Sequence, residues 1–86
     1  MRTIYKYGFS KTIELPIDSQ VLKVGMQNGI MYMWVLVDPN QNKTCYRNFE
    51  MIGTGHPFEF DYLTHTYIDT IFDGPFVWHI WEVNKK

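Results

Sequence analysis

"VLKVGMQNGIMYMWVLVD", residues 21–38, decides the fold. Ahead of Asn28-Gly29, Leu22, Val24 and Met26 alternate with Lys23, Gly25 and Gln27. A period of two sends neighbouring side chains to opposite faces of an extended chain, so this arm reads as a half-buried strand. Asn-Gly accepts positive φ at both central positions of a type I′ turn, whose twist suits the two strands it joins. The second arm is apolar on both faces, with Met31, Met33, Val35 and Val37 on one and Ile30, Tyr32, Trp34 and Leu36 on the other. Such a strand belongs at the centre of a sheet, or its outer face is covered by a partner.

The same signals extend outward from this hairpin. "RTIYKYGF" (2–9) is β-branched and aromatic, and "KTIELP" (11–16) sets Ile13 and Leu15 against Thr12 and Glu14 before Pro16 ends it. "DPNQNK" (38–43) is a turn, and "KTCYRNFEMI" (43–52) is β-like up to Gly53 and Gly55. In 64–74, Tyr67, Asp69, Ile71 and Asp73 oppose Ile68, Thr70 and Phe72. After the turn Asp73-Gly74-Pro75, the strand 76–83 sets Phe76, Trp78 and Ile80 against Val77, His79, Trp81 and Val83. "HPFEFDYLTH" (56–65) lacks a helical period and reads as a loop, with Phe58, Phe60, Tyr62 or Leu63 packed as a lid on the sheet edge. The long 53–66 connection is the expected crossover between sheets and the expected functional loop. The chain is thus expected to be one all-β domain over 1–86, a small antiparallel sandwich or partly open barrel of about seven strands.

Composition bounds the function. Six Phe, six Tyr and three Trp in 86 residues exceed what one small core needs, so some rings are expected on a surface as interface anchors. A single cysteine, Cys45, permits no internal disulfide and fits a reducing, intracellular compartment. No apolar run follows Met1–Lys6 as in a secretory signal, and the apolar run 30–37 is too short for a membrane helix, so no membrane association is expected. The formal net charge is −1, but from 48 to 84 there is no Lys or Arg, while Glu50, Glu59, Asp61, Asp69, Asp73 and Glu82 are acidic. If these acids gather on one face, it attracts basic protein surfaces and repels nucleic acid.

Chemical motifs are sparse. "GTGHP" (53–57) has the wrong spacing for a dinucleotide fingerprint, lacks the lysine of a phosphate loop, and no helix opens behind it. It reads as a tight corner, with presentation of His56 as the functional alternative. His56, His65 and His79, even with Cys45 and Asp61, do not form the close ligand pair that begins a structural zinc site, so no metal or cofactor is expected. Asp69 and Asp73, four residues apart on a strand, stand about 13 Å apart at Cα, too far for an acid/base pair. Cys45 reads as a small apolar strand residue, His79 as a strand histidine with one satisfied nitrogen, and no serine lies in a nucleophile elbow. Tyr5, Lys6, Tyr7, Phe9 and Lys11, with Tyr46 and Arg47, interleave rings and charge as a single-strand nucleic-acid platform would, yet eight basic residues are few for a phosphate binder.

Ile4-Tyr5-Lys6-Tyr7, Thr12–Pro16, Gln27-Asn28-Gly29, Trp34–Pro39, Gly53–Pro57 and Phe76–Val83 together resemble a family of small proteins encoded by bacteriophages and prophages, the "GTGHP" segment being its most recognisable element. The resemblance covers nearly the whole chain and transfers no catalytic residue. It implies expression in the host bacterial cytoplasm and action by binding a host protein. The expected function is therefore a non-enzymatic protein-binding module that inhibits a bacterial host or defence factor with a basic surface. The expected contacts are His56, Phe58, Glu59, Phe60, Asp61 and Tyr62. A virion structural or assembly protein is the alternative, self-associating as a homodimer or larger oligomer through Tyr32, Trp34, Trp78 and Trp81, and a single-stranded nucleic-acid binder using Tyr5, Tyr7 and Phe9 is a further one.

Overall fold

The Asn28-Gly29 turn forms as its chemistry requires, with φ of 54° and 78° at the two residues. It joins β3 (Gln20–Gln27) to β4 (Ile30–Val37) in a computed structural model that describes residues 1–84. The remaining strands are β1 (Thr3–Gly8), β2 (Thr12–Pro16), β5 (Thr44–Gly53), β6 (His65–Asp73) and β7 (Phe76–Val83). They form two antiparallel sheets, one of three strands in the order β1-β4-β3 and one of four in the order β2-β5-β7-β6. The doubly apolar β4 is the central strand of its sheet. The architecture is an open two-sheet sandwich rather than a closed barrel.

Between the sheets lie Leu15, Val24, Met33, Val35, Val37, Phe49, Ile71 and Ile80, one or more from every strand but β1. Tyr7, Phe9, Met51, Ile68 and Trp78 pack against them at the margins. The chain changes sheets after β1, β2 and β4. The first change turns within Ser10, because Phe9 N–H still donates to Met31 O (2.9 Å) and Phe49 N–H donates to Lys11 O (2.7 Å). The second bends at Asp18, whose positive φ of 67° suits a short polar residue. Arg47 fastens that bend. Its Nη1 donates to Ser19 O (2.6 Å), while Nε and Nη2 fork onto the Glu82 carboxylate at 2.6 and 2.7 Å. The bond to Glu82 raises the guanidinium's pKa above its ordinary value against the opposing effect of burial.

The expected crossover at 53–66 is not one. β5 and β6 lie in the same sheet, on either side of β7, so the connection passes over a strand and stays with its sheet. Two expected alternations also fail, each at a bulge. In β3 the register shifts between Val21 and Lys23, which turns Val21 towards the core and leaves Leu22 44% exposed. In β6 it shifts between Tyr67 and Asp69, which packs Ile68 on the core and puts Tyr67 on the face of Thr70 and Phe72. A bulge opposes two residues to one, so side chains beyond it change face relative to those before it.

The bulged strands are the facing edges of the two sheets, and Asp69 bridges them. Its Oδ2 accepts from Val24 N–H (3.2 Å) and from Lys23 Nζ (3.1 Å), while Oδ1 accepts from Thr70 N–H (2.9 Å). Val24 sits opposite Met33, three pairs from the two-residue turn, so its N–H points out of the hairpin and needs an outside acceptor.

Asp69→Ala costs about 1–3 kcal/mol in urea unfolding and strips the Val24 amide of its exchange protection, whereas Lys23→Ala, whose side chain is 62% exposed, costs less than about 1 kcal/mol. Equal losses would show that the ion pair, not the backbone cap, holds the seam. Removing one member of the part-buried pair, as in Glu82→Ala, costs about 3 kcal/mol by the same measurement, and Arg47→Met with Glu82→Leu recovers most of it. A double variant no better than Glu82→Ala would place the value in the Ser19 bond instead.

Candidate functional site

The outer face of the four-stranded sheet carries three rows of side chains set by register: Asn48, Val83 and His65; Glu50, Trp81 and Tyr67; Ile52, His79 and Thr70. Trp81 is the centre of this field. Because β7 separates β5 from β6, the chain from Thr54 to Thr64 is laid across it, and its two phenylalanines settle on the indole. Ring centroids of Phe58 and Phe60 lie 5.4 and 5.2 Å from Trp81, and 5.2 and 5.9 Å from His65, with Tyr67 edge-on to Trp81 at 5.4 Å. Offset and tilted contacts at these separations are the favourable arrangements of aromatic pairs.

The expected lid therefore exists, on the sheet's face rather than its edge. Phe58 is half-buried and anchors it, while Phe60, Tyr62 and Leu63 are 52%, 78% and 61% exposed. Asp61 shapes the tip: its Oδ1 accepts from Leu63 N–H (2.9 Å), and its carbonyl accepts from the N–H groups of Thr64 (3.0 Å) and His65 (2.8 Å). His65 Nδ1 lies 3.1 Å from both the N–H and the carbonyl oxygen of Asp61, and its Nε2 lies 3.6 Å from Glu50 Oε1. Asp61 is thus occupied internally, while Glu59 is exposed at the surface.

Beside the lid runs a chain of hydroxyls and imidazole: Tyr67 OH to Thr70 Oγ1 (2.6 Å), Thr70 Oγ1 to His79 Nδ1 (3.2 Å), and His79 Nε2 to Thr54 Oγ1 (2.7 Å). Both nitrogens of His79 are engaged, not one. Sequence periodicity could not show this group, because the bulge at Ile68 is what brings Tyr67 and Thr70 to one face.

"GTGHP" is a corner. His56 N–H closes it on Gly53 O (3.0 Å), and Gly55 takes φ of 86° at the position a type II turn reserves for glycine. Gly53 serves differently: a Cβ there would stand 2.9 Å from His56 Nδ1, so its bareness makes room for the ring. His56 thereby faces away from the lid contacts, along a cavity of about 380 Å³ shared with Thr54, Pro75, Phe76 and Trp78.

The other sequence candidates are dispersed. Tyr32 and Trp34 lie on the outer face of the three-stranded sheet, Trp81 lies under the lid, and Trp78 packs on the core margin and the cavity. Of the six acids, Glu82 is consumed by Arg47 and Asp69 by the seam, so they do not form one face. The basic-aromatic set also splits, with Tyr7 and Phe9 against the core, Arg47 paired, and Lys6 Nζ over the Tyr32 ring at 4.4 Å. Cys45 is exposed as a free thiol. Among the described residues no three His, Cys, Asp or Glu side chains gather as metal ligands, and no helix is long and apolar enough to cross a membrane.

The two glycines of the corner respond differently to alanine. Gly55→Ala costs about 1–2 kcal/mol in thermal or urea unfolding, the penalty of left-handed backbone. Gly53→Ala costs less than about 1 kcal/mol, because His56 is exposed and its ring rotates away, and the proton contacts between His56 and Trp78 in NMR spectra disappear. Retention of those contacts in the Gly53→Ala protein would show that the ring is not held by the space above Gly53.

No curated protein and no solved structure matches the chain. A family model does, over residues 1–86 and thus the whole length, and the chain belongs to that family, described as Domain of unknown function (DUF7352).

Proposed function

We propose that this chain is a non-enzymatic protein-binding module, a phage accessory protein that occludes and inhibits a bacterial host or defence factor in the host cytoplasm. The observation that carries this reading is the lid. Phe60, Tyr62, Leu63 and Tyr67 are each more than half exposed, on one loop and the strand that follows it, and Phe58 and Trp81 hold that loop in place. Rigid aromatic groups with few rotors are the usual anchors of protein interfaces, because they contribute area at little cost in entropy. Glu59 and the half-exposed Glu50 supply carboxylates for a basic partner surface; Asp61, Asp69 and Glu82 have internal duties.

Self-association is the second reading, favoured by the outer face of the three-stranded sheet. There Ile4, Leu22 and Ile30 are exposed beside the half-buried Tyr32, Trp34 and Leu36. Lys6 weighs against it, since its ammonium spans Tyr32 and donates to Gln27 Oε1 (2.9 Å), shielding part of the face.

Affinity capture from the infected host, followed by titration of the captured protein, tests the docking surface. Phe60→Ser with Tyr62→Ser is expected to weaken binding by about 30-fold or more, while the lost Phe60 contact with Trp81 lowers stability by only about 1 kcal/mol. Phe58→Ala is expected to weaken binding and also to speed proteolysis between 54 and 64. Unchanged affinity in the Phe60/Tyr62 variant would reject this surface. A concentration-dependent dimer in light scattering, abolished by Trp34→Lys, would instead favour self-association.

A further inference from the structure

We propose that the cavity behind the Gly53–His56 corner is a binding site for a neutral, planar nitrogen heterocycle. Its volume of about 380 Å³ lies at the low end of small-molecule pockets, which sizes it for one or two rings. Two separate turns frame it. One is the corner itself, and the other is the β6–β7 hairpin, where Gly74 at φ of 56° opens a two-residue turn and Pro75 fixes its exit.

The walls specify the ligand. Phe76 and Trp78, two apart on β7, stand nearly parallel, with planes inclined by 24° and centroids 6.0 Å apart, and Phe76 is 58% exposed. Such rings select a flat, polarisable partner over a puckered aliphatic one. Facing them, His56 is seated over Gly53, where no other residue type leaves it room. The ring hydrogen bonds made by histidines within the described residues all belong to His65 and His79, so the nitrogens of His56 are free to meet a ligand. Imidazole donates from one nitrogen and accepts at the other, matching the N–H or ring nitrogen of a heterocycle. Thr54 also lines the cavity, but its hydroxyl is turned to His79 on the outer face, so the directed polar contact comes from His56.

Charge narrows the class. Among the described residues no Lys, Arg, Asp or Glu lines the cavity, so none of them answers a phosphate or an ammonium group there. A free base or indole-like ring fits, and a nucleotide does not. The same ring chemistry is available from a tryptophan side chain on another protein, and the probes below separate that source from a free heterocycle. The inference is independent of the lid, whose exposed residues do not line this cavity.

Titration of the whole 15N-labelled chain with indole, adenine, N-acetyltryptophanamide and cyclohexanol, followed by NMR, tests it. Indole and adenine are expected to shift the Gly53 and His56 amides and the Trp78 indole N–H saturably, with cyclohexanol inert at equal concentration. His56→Ala is expected to weaken binding about fivefold, the worth of one hydrogen bond, and Phe76→Ala by a similar factor through lost stacking. Both side chains are exposed, so an unchanged amide spectrum elsewhere confirms that each variant keeps its fold. Saturable binding of N-acetyltryptophanamide without adenine or indole assigns the site to a partner's side chain. Absence of saturable shifts with all three ring probes, shifts centred on Trp34 or Trp81, or equal binding of cyclohexanol would overturn the proposal.

Discussion

β7 stands between β5 and β6, and much of what distinguishes this molecule depends on that placement. A connection from β5 to β6 must climb over the outer face of β7, where an alternating strand would ordinarily show polar residues to water. The sequence places Trp81 there and supplies Phe58 and Phe60 to cover it. The loop gains an apolar floor, and the indole gains a roof. A sheet face that would be a liability becomes the support of an ordered segment, at the cost of leaving the next residues, Tyr62 and Leu63, outside.

The seam between β3 and β6 solves a different problem. Each strand is an edge, with main-chain groups that no neighbouring strand pairs. A bulge in each twists the edges out of ladder register, and the Asp69 carboxylate takes the Val24 N–H that a further strand would have taken. The bulge in β6 has a second consequence on the other side of the sheet. It turns Tyr67 to face Thr70 and so completes the hydroxyl chain through His79 to Thr54. One extra residue in one edge strand thus serves both the closure of the sandwich and the arrangement of the candidate site.

Strand positions were legible because they depend on local rules. The Asn28-Gly29 and Asp73-Gly74-Pro75 turns, the breakers Pro16 and Gly53, and the two apolar faces of β4 each speak within a few residues. Sheet membership was not, because 53–66 reads alike whether it joins two sheets or spans one strand; only the choice of partner for β7 distinguishes them. Face assignment failed where it depended on unbroken alternation, at Leu22 and at Tyr67, since a bulge leaves no mark in composition. The acidic run failed as a surface for a related reason. Glu82 and Asp69 look like their neighbours in sequence, and what removes them from the surface is the Arg47 guanidinium and the Val24 N–H, 35 and 45 residues away.

The histidines show how environment, not residue type, decides availability. His65 has a side chain only 9% exposed, clamped by two phenylalanine rings and the Asp61 turn, and it works as packing with one polar edge towards Glu50. His79 is held by threonine hydroxyls at both nitrogens, so neither nitrogen faces open solvent unpartnered. His56 alone has an exposed ring that the surrounding chain positions by shape rather than by a hydrogen bond. A ring fixed by shape keeps its donor and acceptor unspent. That separates the corner from the lid in kind: the lid offers area to a partner that brings its own polar groups, while the corner offers one directed polar contact beside two aromatic rings.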